Sequence, residues 1–446
     1  MKSRWLLFVI LAGYGVLATA YMFATPLWEA PDEVAHYLYA EHIALNNRLP
    51  PALPPQRGRF FQNNYAASGY EWAQPPLYYG MTAVVLKTAR LFRPAAFPQP
   101  AAEIDPRFPL SINLFVPLVS NRRFPCEVAV GPCVARLFSI PLGMLTLIGV
   151  WKLADVVSKG DTVVVAFATA FVAVLPQFNF LTSHVTNDNL ANALAALSFW
   201  VMASWIERVD SFSKWRLWGG SVVVALGIVA KYTLLFLLPL GWLALWMSLP
   251  APRRWRSWVV RCGLFTFLAI SPILLGWAIS PMFRLQLERT NLALMPKPQY
   301  LNFAHLLTLW PLTTASLWGR FGWMNVALPL GLTNILTGVA GVGLVGALML
   351  LIKRRSSDVF VALRKFLGAI CFLVLAGFVR FNLSDFQPQG RYLFPALPAL
   401  ATLISLGWCG WFKDKTQIMV SSLLIGGLLA ANLYALGWVL LPAYAP

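Results

Sequence analysis

Trp28-Glu29-Ala30-Pro31-Asp32-Glu33-Val34-Ala35-His36-Tyr37 begins where the first long apolar run of the chain ends. Two adjacent carboxylates sit at that boundary, and a histidine follows Asp32 by one helical turn. Two readings compete. A proline followed by acids suits a helix N-terminus, where unpaired N–H groups and the helix dipole favour negative charge. The same acids suit a general base held at a membrane surface, ready to take a proton from a hydroxyl. The rest of the chain tips the balance toward the second.

Of the 446 residues, 58% are hydrophobic and 12% charged. Soluble domains carry about 25% charged residues, so this is the composition of an all-α polytopic membrane protein. The net charge of +18 could suggest nucleic acid, but many of the bases cluster in short segments between apolar runs, as the positive-inside rule expects. Nineteen Trp and 13 Tyr suit interfacial belts. Met1-Lys2-Ser3-Arg4 and the run after it could pass for a signal peptide. At about 20 residues that run is long enough to span, so it reads as an uncleaved first helix with a cytoplasmic N-terminus.

Residues 24–132 read as a long extracytoplasmic loop carrying interfacial helices. Within it, 32–47 has an amphipathic pattern. The run 76–91 is broken early by Lys87, Arg90 and Arg93, so it reads as a helix lying in the outer interface. Spans are expected at 5–23, 134–153, 163–180, 190–206, 217–230, 233–249, 258–279, 328–352, 363–379, 392–412 and 418–441, about 11 in all. This count leaves every basic cluster beside a short loop on one side, for example Arg208 with Lys214 and Arg216, or Lys353 with Arg354 and Arg355. The whole chain, 1–446, reads as one transmembrane domain without a soluble C-terminal domain.

This topology collects Asp32, Glu33, Asp188, Lys231, Arg320, Arg380, Asp385 and Arg391 on the outer face. Each has a plain reading beside a chemical one. Asp188, in Thr182-Ser183-His184-Val185-Thr186-Asn187-Asp188-Asn189, could cap the next helix. Lys231 sits at the tip of a hairpin with short legs, where a lysine is costly unless it snorkels or finds an anion. Arg391, in Gln389-Gly390-Arg391-Tyr392-Leu393-Phe394-Pro395, is an interface anchor or a phosphate fork. Arg320, in Trp318-Gly319-Arg320-Phe321-Gly322-Trp323, belongs to an aromatic belt or touches substrate. Together they fit transfer from a lipid phosphate, which needs cations on the phosphate and a carboxylate near the acceptor hydroxyl. No phosphate-cradling glycine loop argues for a nucleotide donor. Cys126 and Cys133 fall outside and bracket a turn segment containing Gly131 and Pro132, so a disulfide is expected between them.

The order of these stretches resembles the GT-C superfamily of membrane glycosyltransferases, which use sugars linked to polyprenyl phosphate. The resemblance rests on Pro31-Asp32-Glu33 after the first span, Pro75-Pro76-Leu77-Tyr78, Arg136-Leu137 opening span two, Asp188 after span three and Lys231 in the following hairpin. Trp318-Gly319-Arg320-Phe321-Gly322-Trp323 and Gln389-Gly390-Arg391-Tyr392-Leu393-Phe394-Pro395 are similar to a bacterial branch. It implies Asp32 as catalytic base, with Glu33 and Asp188 orienting the acceptor or tuning the base. Lys231 and Arg391 would hold the departing phosphate, with His36, Arg320 and Tyr392 also contacting substrate. The implied enzyme is an inverting hexosyl- or pentosyltransferase of cell-envelope glycan. It would sit in the bacterial cytoplasmic membrane with its site facing outside, acting on a glycan, lipid or protein acceptor. No cofactor is required by the sequence; some relatives place a divalent metal between the residues corresponding to Asp32 and Asp188. The alternatives are a polymerase or ligase of lipid-linked oligosaccharide and a transporter or flippase of a charged lipid.

Overall fold

The computed structural model describes residues 2–51, 71–92, 105, 112, 114, 129–208, 213–249, 255–293, 297, 300, 303–352 and 358–444. Its helices are α1 (Lys2–Ala24), α2 (Glu33–Asn46), α3 (Leu77–Phe92), α4 (Val130–Ser158), α5 (Thr162–Ala173), α6 (Pro176–Thr182), α7 (Asp188–Glu207), α8 (Lys214–Ala230), α9 (Leu237–Met247), α10 (Trp255–Ile279), α11 (Pro281–Ala293) and α12 (Phe303–Gly319). A two-residue hairpin follows, β1 (Arg320–Phe321) against β2 (Val326–Ala327), with Arg320 opposite Ala327. The chain then continues through α13 (Leu330–Ile352), α14 (Asp358–Asn382), α15 (Leu397–Trp411) and α16 (Asp414–Tyr434).

All eleven expected runs are helical, but the count of spans differs. Among the described residues eight helices are long and apolar enough to cross a membrane, or nine if α5 and α6 count as one broken span bent by 62°. The two hairpin legs fall short: α8 has 17 residues, and Tyr232–Met247 begins with a 3-10 turn before α9. About 20 helical residues are needed to cross the hydrocarbon core. At 16 residues, α3 is also too short for that. The α5–α6 bend comes from Pro176, which lacks an N–H and pushes Leu175 out of the helical region, to φ −71° and ψ 120°. Asn179 Nδ2 bridges the bend, donating to the carbonyls of Ala173 and Leu175 at 2.9 and 3.0 Å. Sequence reading did not anticipate α11 and α12.

Small residues let the helices approach closely, as membrane packing favours. A Cβ at Gly149 of α4 would meet Ala196 Cβ of α7 at 2.6 Å. Gly407 of α15 lies against the Gly343 carbonyl of α13, with no room for a side chain. A large apolar cluster fills the bundle, and a second lies beneath the first loop, around Leu27, Trp28, Tyr37, Tyr78, Leu142 and Val185. There α2 and α3 pack face to face, with Tyr39 stacked on Tyr79 at 3.9 Å and Arg90 paired with Glu41 at 2.8 Å. From α11, Gln286 donates to the Trp72 carbonyl at 2.6 Å. Cys133 is disulfide-bonded, whereas Cys262, Cys371 and Cys409 are free. Its expected partner, Cys126, and most of 52–128 lie outside the described residues.

Candidate active site

The acidic motif sits on a strained turn. Trp28 (φ 73°) and Asp32 (φ 62°) both occupy the left-handed region, which costs residues with a side chain about 1–3 kcal/mol each. Asp32 is the N-cap of α2, yet its side chain makes no capping hydrogen bond. Its Oδ2 accepts instead from Arg391 Nη2 at 2.9 Å. The helix-start reading therefore explains where Asp32 stands in the chain, but not what its carboxylate does.

Asp188 departs from simple capping in the same way. Asn187 is the N-cap of α7, and Asp188 Oδ1 accepts from Lys231 Nζ at 2.5 Å. Lys231 is an extended residue between α8 and the 3-10 turn Tyr232–Phe236, with φ −157° and ψ 125°. Arg391 lies in the 3-10 turn Gly390–Ala396 at the mouth of α15. Gly390 is pressed against the backbone of Leu317 in α12 and donates its N–H to Ser316 Oγ at 2.6 Å, which sets Arg391 in place. The Tyr392 ring lies 5.1 Å from the Arg391 guanidinium and 6.0 Å from Lys231 Nζ, within cation–π range of both. Two carboxylates, two cations and Tyr392 thus converge from four distant parts of the chain. Beside Asp32 and Arg391 opens a cavity of about 290 Å³, lined also by Pro31, Trp323, Met324, Asp385, Gln387 and Gln389.

Glu33 is placed differently from its expected catalytic role. It is 1% exposed and clamped by Arg136, Nε to Oε1 at 2.7 Å and Nη2 to Oε2 at 2.6 Å. It also accepts from the Trp28 and Val185 N–H groups at 3.2 and 3.3 Å. Burial would raise its pKa, but the charge and hydrogen bonds of Arg136 outweigh that and hold the carboxyl below the usual range. Arg136 further donates to the carbonyls of Met22, Thr25 and Pro26. Glu33 is therefore the bolt that fixes the turn carrying Asp32, and Arg136 of α4 is the nut.

His36 is also enclosed. Its Nδ1 lies 2.8 Å from the Tyr79 hydroxyl and 3.5 Å from Glu71 Oε2, and its Nε2 lies 3.5 Å from Thr186 Oγ1. Sequence reading missed Glu71, whose only signal was a lone acid beside Trp72, ahead of Pro75-Pro76-Leu77-Tyr78. It is buried and accepts from the Tyr79 hydroxyl at 3.2 Å. Burial, with the Asp32 carboxylate nearby, pushes its pKa from 4.5 up to about 8. Burial pushes His36 down from 6.5 to about 4. The two have opposite effects on stability. Neutral His36 makes stability rise with pH between about 4 and 6.5, because the unfolded histidine takes up a proton there and the folded one does not. Glu71 makes stability fall with pH between 4.5 and about 8, because the unfolded acid ionises first. From pH 6.5 to 8 Glu71 acts without His36. Glu71→Gln should flatten the decline there, by about 2 kcal/mol at most. Thermal unfolding of detergent-solubilised wild type and variant at pH 6.5, 7.25 and 8 tests it, and parallel curves would refute the buried neutral acid.

Arg320 lies in the β-hairpin, outside the two ion pairs. Its backbone N–H donates to Gln177 Oε1 at 2.7 Å, and its Nε is buried without a hydrogen-bond partner among the described residues. The metal expectation fits the donor set poorly. Asp32 and Asp188 each hold a cation, and among the described residues no three His, Cys, Asp or Glu side chains are grouped as ligands.

Residues 129–277, about a third of the chain, match the family model described as dolichyl-phosphate-mannose-protein mannosyltransferase. No curated protein matches the chain. Among solved structures it is similar to the Archaeoglobus fulgidus oligosaccharyltransferase in complex with Zn and sulfate, at 12% identity and TM-score 0.52, over 96% of this chain and 52% of that one. The same enzyme tethered with an acceptor peptide containing the NVT sequon matches at 11% identity and TM-score 0.50, over 98% and 55%. ArnT from Cupriavidus metallidurans bound to undecaprenyl phosphate matches at 14% identity and TM-score 0.47, over 100% and 74%. The chain spans about half the length of the oligosaccharyltransferase it matches. It shares its fold with that oligosaccharyltransferase, and over residues 129–277 its sequence matches the dolichyl-phosphate-mannose-protein mannosyltransferase family model.

Proposed function

We propose that this protein is an inverting glycosyltransferase that moves a sugar from a polyprenyl-phosphate donor to an acceptor hydroxyl at the extracytoplasmic face of the membrane. The observation that carries the reading is the pair of ion pairs, Asp32–Arg391 and Asp188–Lys231, gathered around Tyr392 beside a cavity. A lipid phosphate entering there competes with the carboxylates for Arg391 and Lys231. As Arg391 turns to the phosphate, the Asp32 carboxylate is released to accept the acceptor's hydroxyl proton. The acceptor oxygen attacks the anomeric carbon from the face opposite the phosphate, and the carbon–oxygen bond to the phosphate breaks. Charge then grows on polyprenyl phosphate, where Arg391 and Lys231 stabilise it. Asp188 holds Lys231 in position, and Tyr392 keeps the two cations on one wall.

Arg391→Lys keeps the charge but loses the fork that grips two phosphate oxygens. Its turnover should fall about 100-fold, as when one transition-state donor is removed. Lys231→Ala should raise the apparent KM for donor as well. Release of polyprenyl phosphate from a panel of polyprenyl-phosphate sugars measures both. Wild-type kinetics in both variants would remove these residues from the phosphate site. Lipid movement without sugar–phosphate cleavage would instead identify a flippase.

A further inference from the structure

We infer that the cavity beside Asp32 and Arg391 is a sugar-ring subsite, in which a single pyranose or furanose ring lies against Trp323 with its hydroxyls on Asp385 and Gln389. The inference rests on the transferase reading and names the chemistry its site accepts. At about 290 Å³ the cavity stands at the small end of ligand pockets, room for one ring rather than an extended peptide. Its lining divides into two kinds of surface. Pro31, Met324 and Trp323 offer apolar contact, while Asp385, Gln387 and Gln389 offer polar atoms. This is the pairing a sugar needs, with a flat C–H face on one side and a rim of hydroxyls on the other.

The side chains are held in place for that task. Trp323 Nε1 donates to the Trp28 carbonyl at 3.0 Å, which ties the indole to the turn carrying Asp32. Gln387 is committed on both sides, donating to Asp385 Oδ2 at 2.8 Å and accepting from the Tyr392 hydroxyl at 2.5 Å. Gln389 Oε1 is a buried acceptor with no partner among the described residues. Arg391, 6% exposed, leaves its Nε buried and likewise unpaired among them. A buried polar atom without a partner costs stability unless a ligand or water satisfies it. A hydroxyl group meets both needs, donating to Gln389 and accepting from Arg391. Lys231 is not part of the lining, so the ring space begins at Arg391 and runs toward Trp323 and Asp385.

The ring can come from the donor or from the acceptor, and one experiment tests the subsite and separates the sources. Saturation-transfer NMR on the purified full chain in detergent is run with a mixture of methyl hexopyranosides and methyl pentofuranosides, beside a serine- and threonine-containing hexapeptide. Transfer to ring protons of at least one glycoside, and none to the peptide, is expected. Gln389→Leu and Trp323→Leu should each weaken that binding about ten-fold, the worth of one hydrogen bond to a buried group or of one lost stacking face. If the panel's polyprenyl-phosphate sugars displace the glycoside and undecaprenyl phosphate alone does not, the ring belongs to the donor. If glycoside and polyprenyl-phosphate sugar bind together, it belongs to the acceptor. Absence of glycoside binding, equal binding in both variants, or peptide binding lost in both variants would overturn the subsite. Because no transfer is required, glycoside binding without turnover would sink the transferase reading and leave the subsite standing.

Discussion

Asp32→Asn is expected to abolish nearly all turnover, by about 100- to 10,000-fold, and to leave the protein folded. The size of the effect follows from the proposed role: a positioned carboxylate would remove a proton as the acceptor oxygen attacks, and an amide of the same shape cannot. The fold survives because Asp32 carries no capping hydrogen bond and is not part of the Glu33–Arg136 clamp. Its partner, Arg391, keeps the Tyr392 hydroxyl at 3.3 Å and the Tyr392 ring at 5.1 Å. The measurement is single-turnover release of polyprenyl phosphate, with unfolding temperature as the control on folding. Unchanged turnover would return Asp32 to the start of α2 and nothing more. A parallel drop in unfolding temperature would show that the Asp32–Arg391 bond is structural.

Arg136→Met should destabilise the protein by about 3–5 kcal/mol, the usual cost of removing one member of a buried ion pair. Both side chains are 1% exposed, so Glu33 would be left charged without a counter-ion. The carbonyls of Met22, Thr25 and Pro26 would lose their donor in the same step. Replacing both partners with apolar groups removes the stranded charge, so Arg136→Met with Glu33→Met should recover part of the loss. Thermal unfolding of the three proteins in detergent decides it. A further contrast separates clamp from catalyst: Glu33→Gln should lower the unfolding temperature more than Asp32→Asn does. If Glu33→Gln were instead fully stable and inactive, the carboxylate would belong in the reaction.

The membrane class, the eleven helical runs and the placement of Asp32, Asp188, Lys231 and Arg391 at the ends of those runs were legible in the amino-acid sequence. Hydropathy and positive charge act segment by segment, so a single chain displays them without its fold. Two things were not legible. The first was that Glu33, expected beside Asp32 to orient the acceptor or tune the base, turns away to be clamped by Arg136. Asp32 and Glu33 are chemically alike and neighbours in sequence. Only the left-handed backbone at Asp32 and the arrival of Arg136 from α4 send one toward Arg391 and the other beneath the turn. The second was Glu71 beside His36, and the cavity walled by Trp323 and Gln389. These depend on contacts between residues far apart in the chain, as Asp32 and Arg391 are. Composition and periodicity decide which segments enter the bilayer, because transfer free energy is additive along the chain. Charge pairing and enclosed space are decided only when the helices close on one another, because burial and distance, not residue type, set the strength of each interaction.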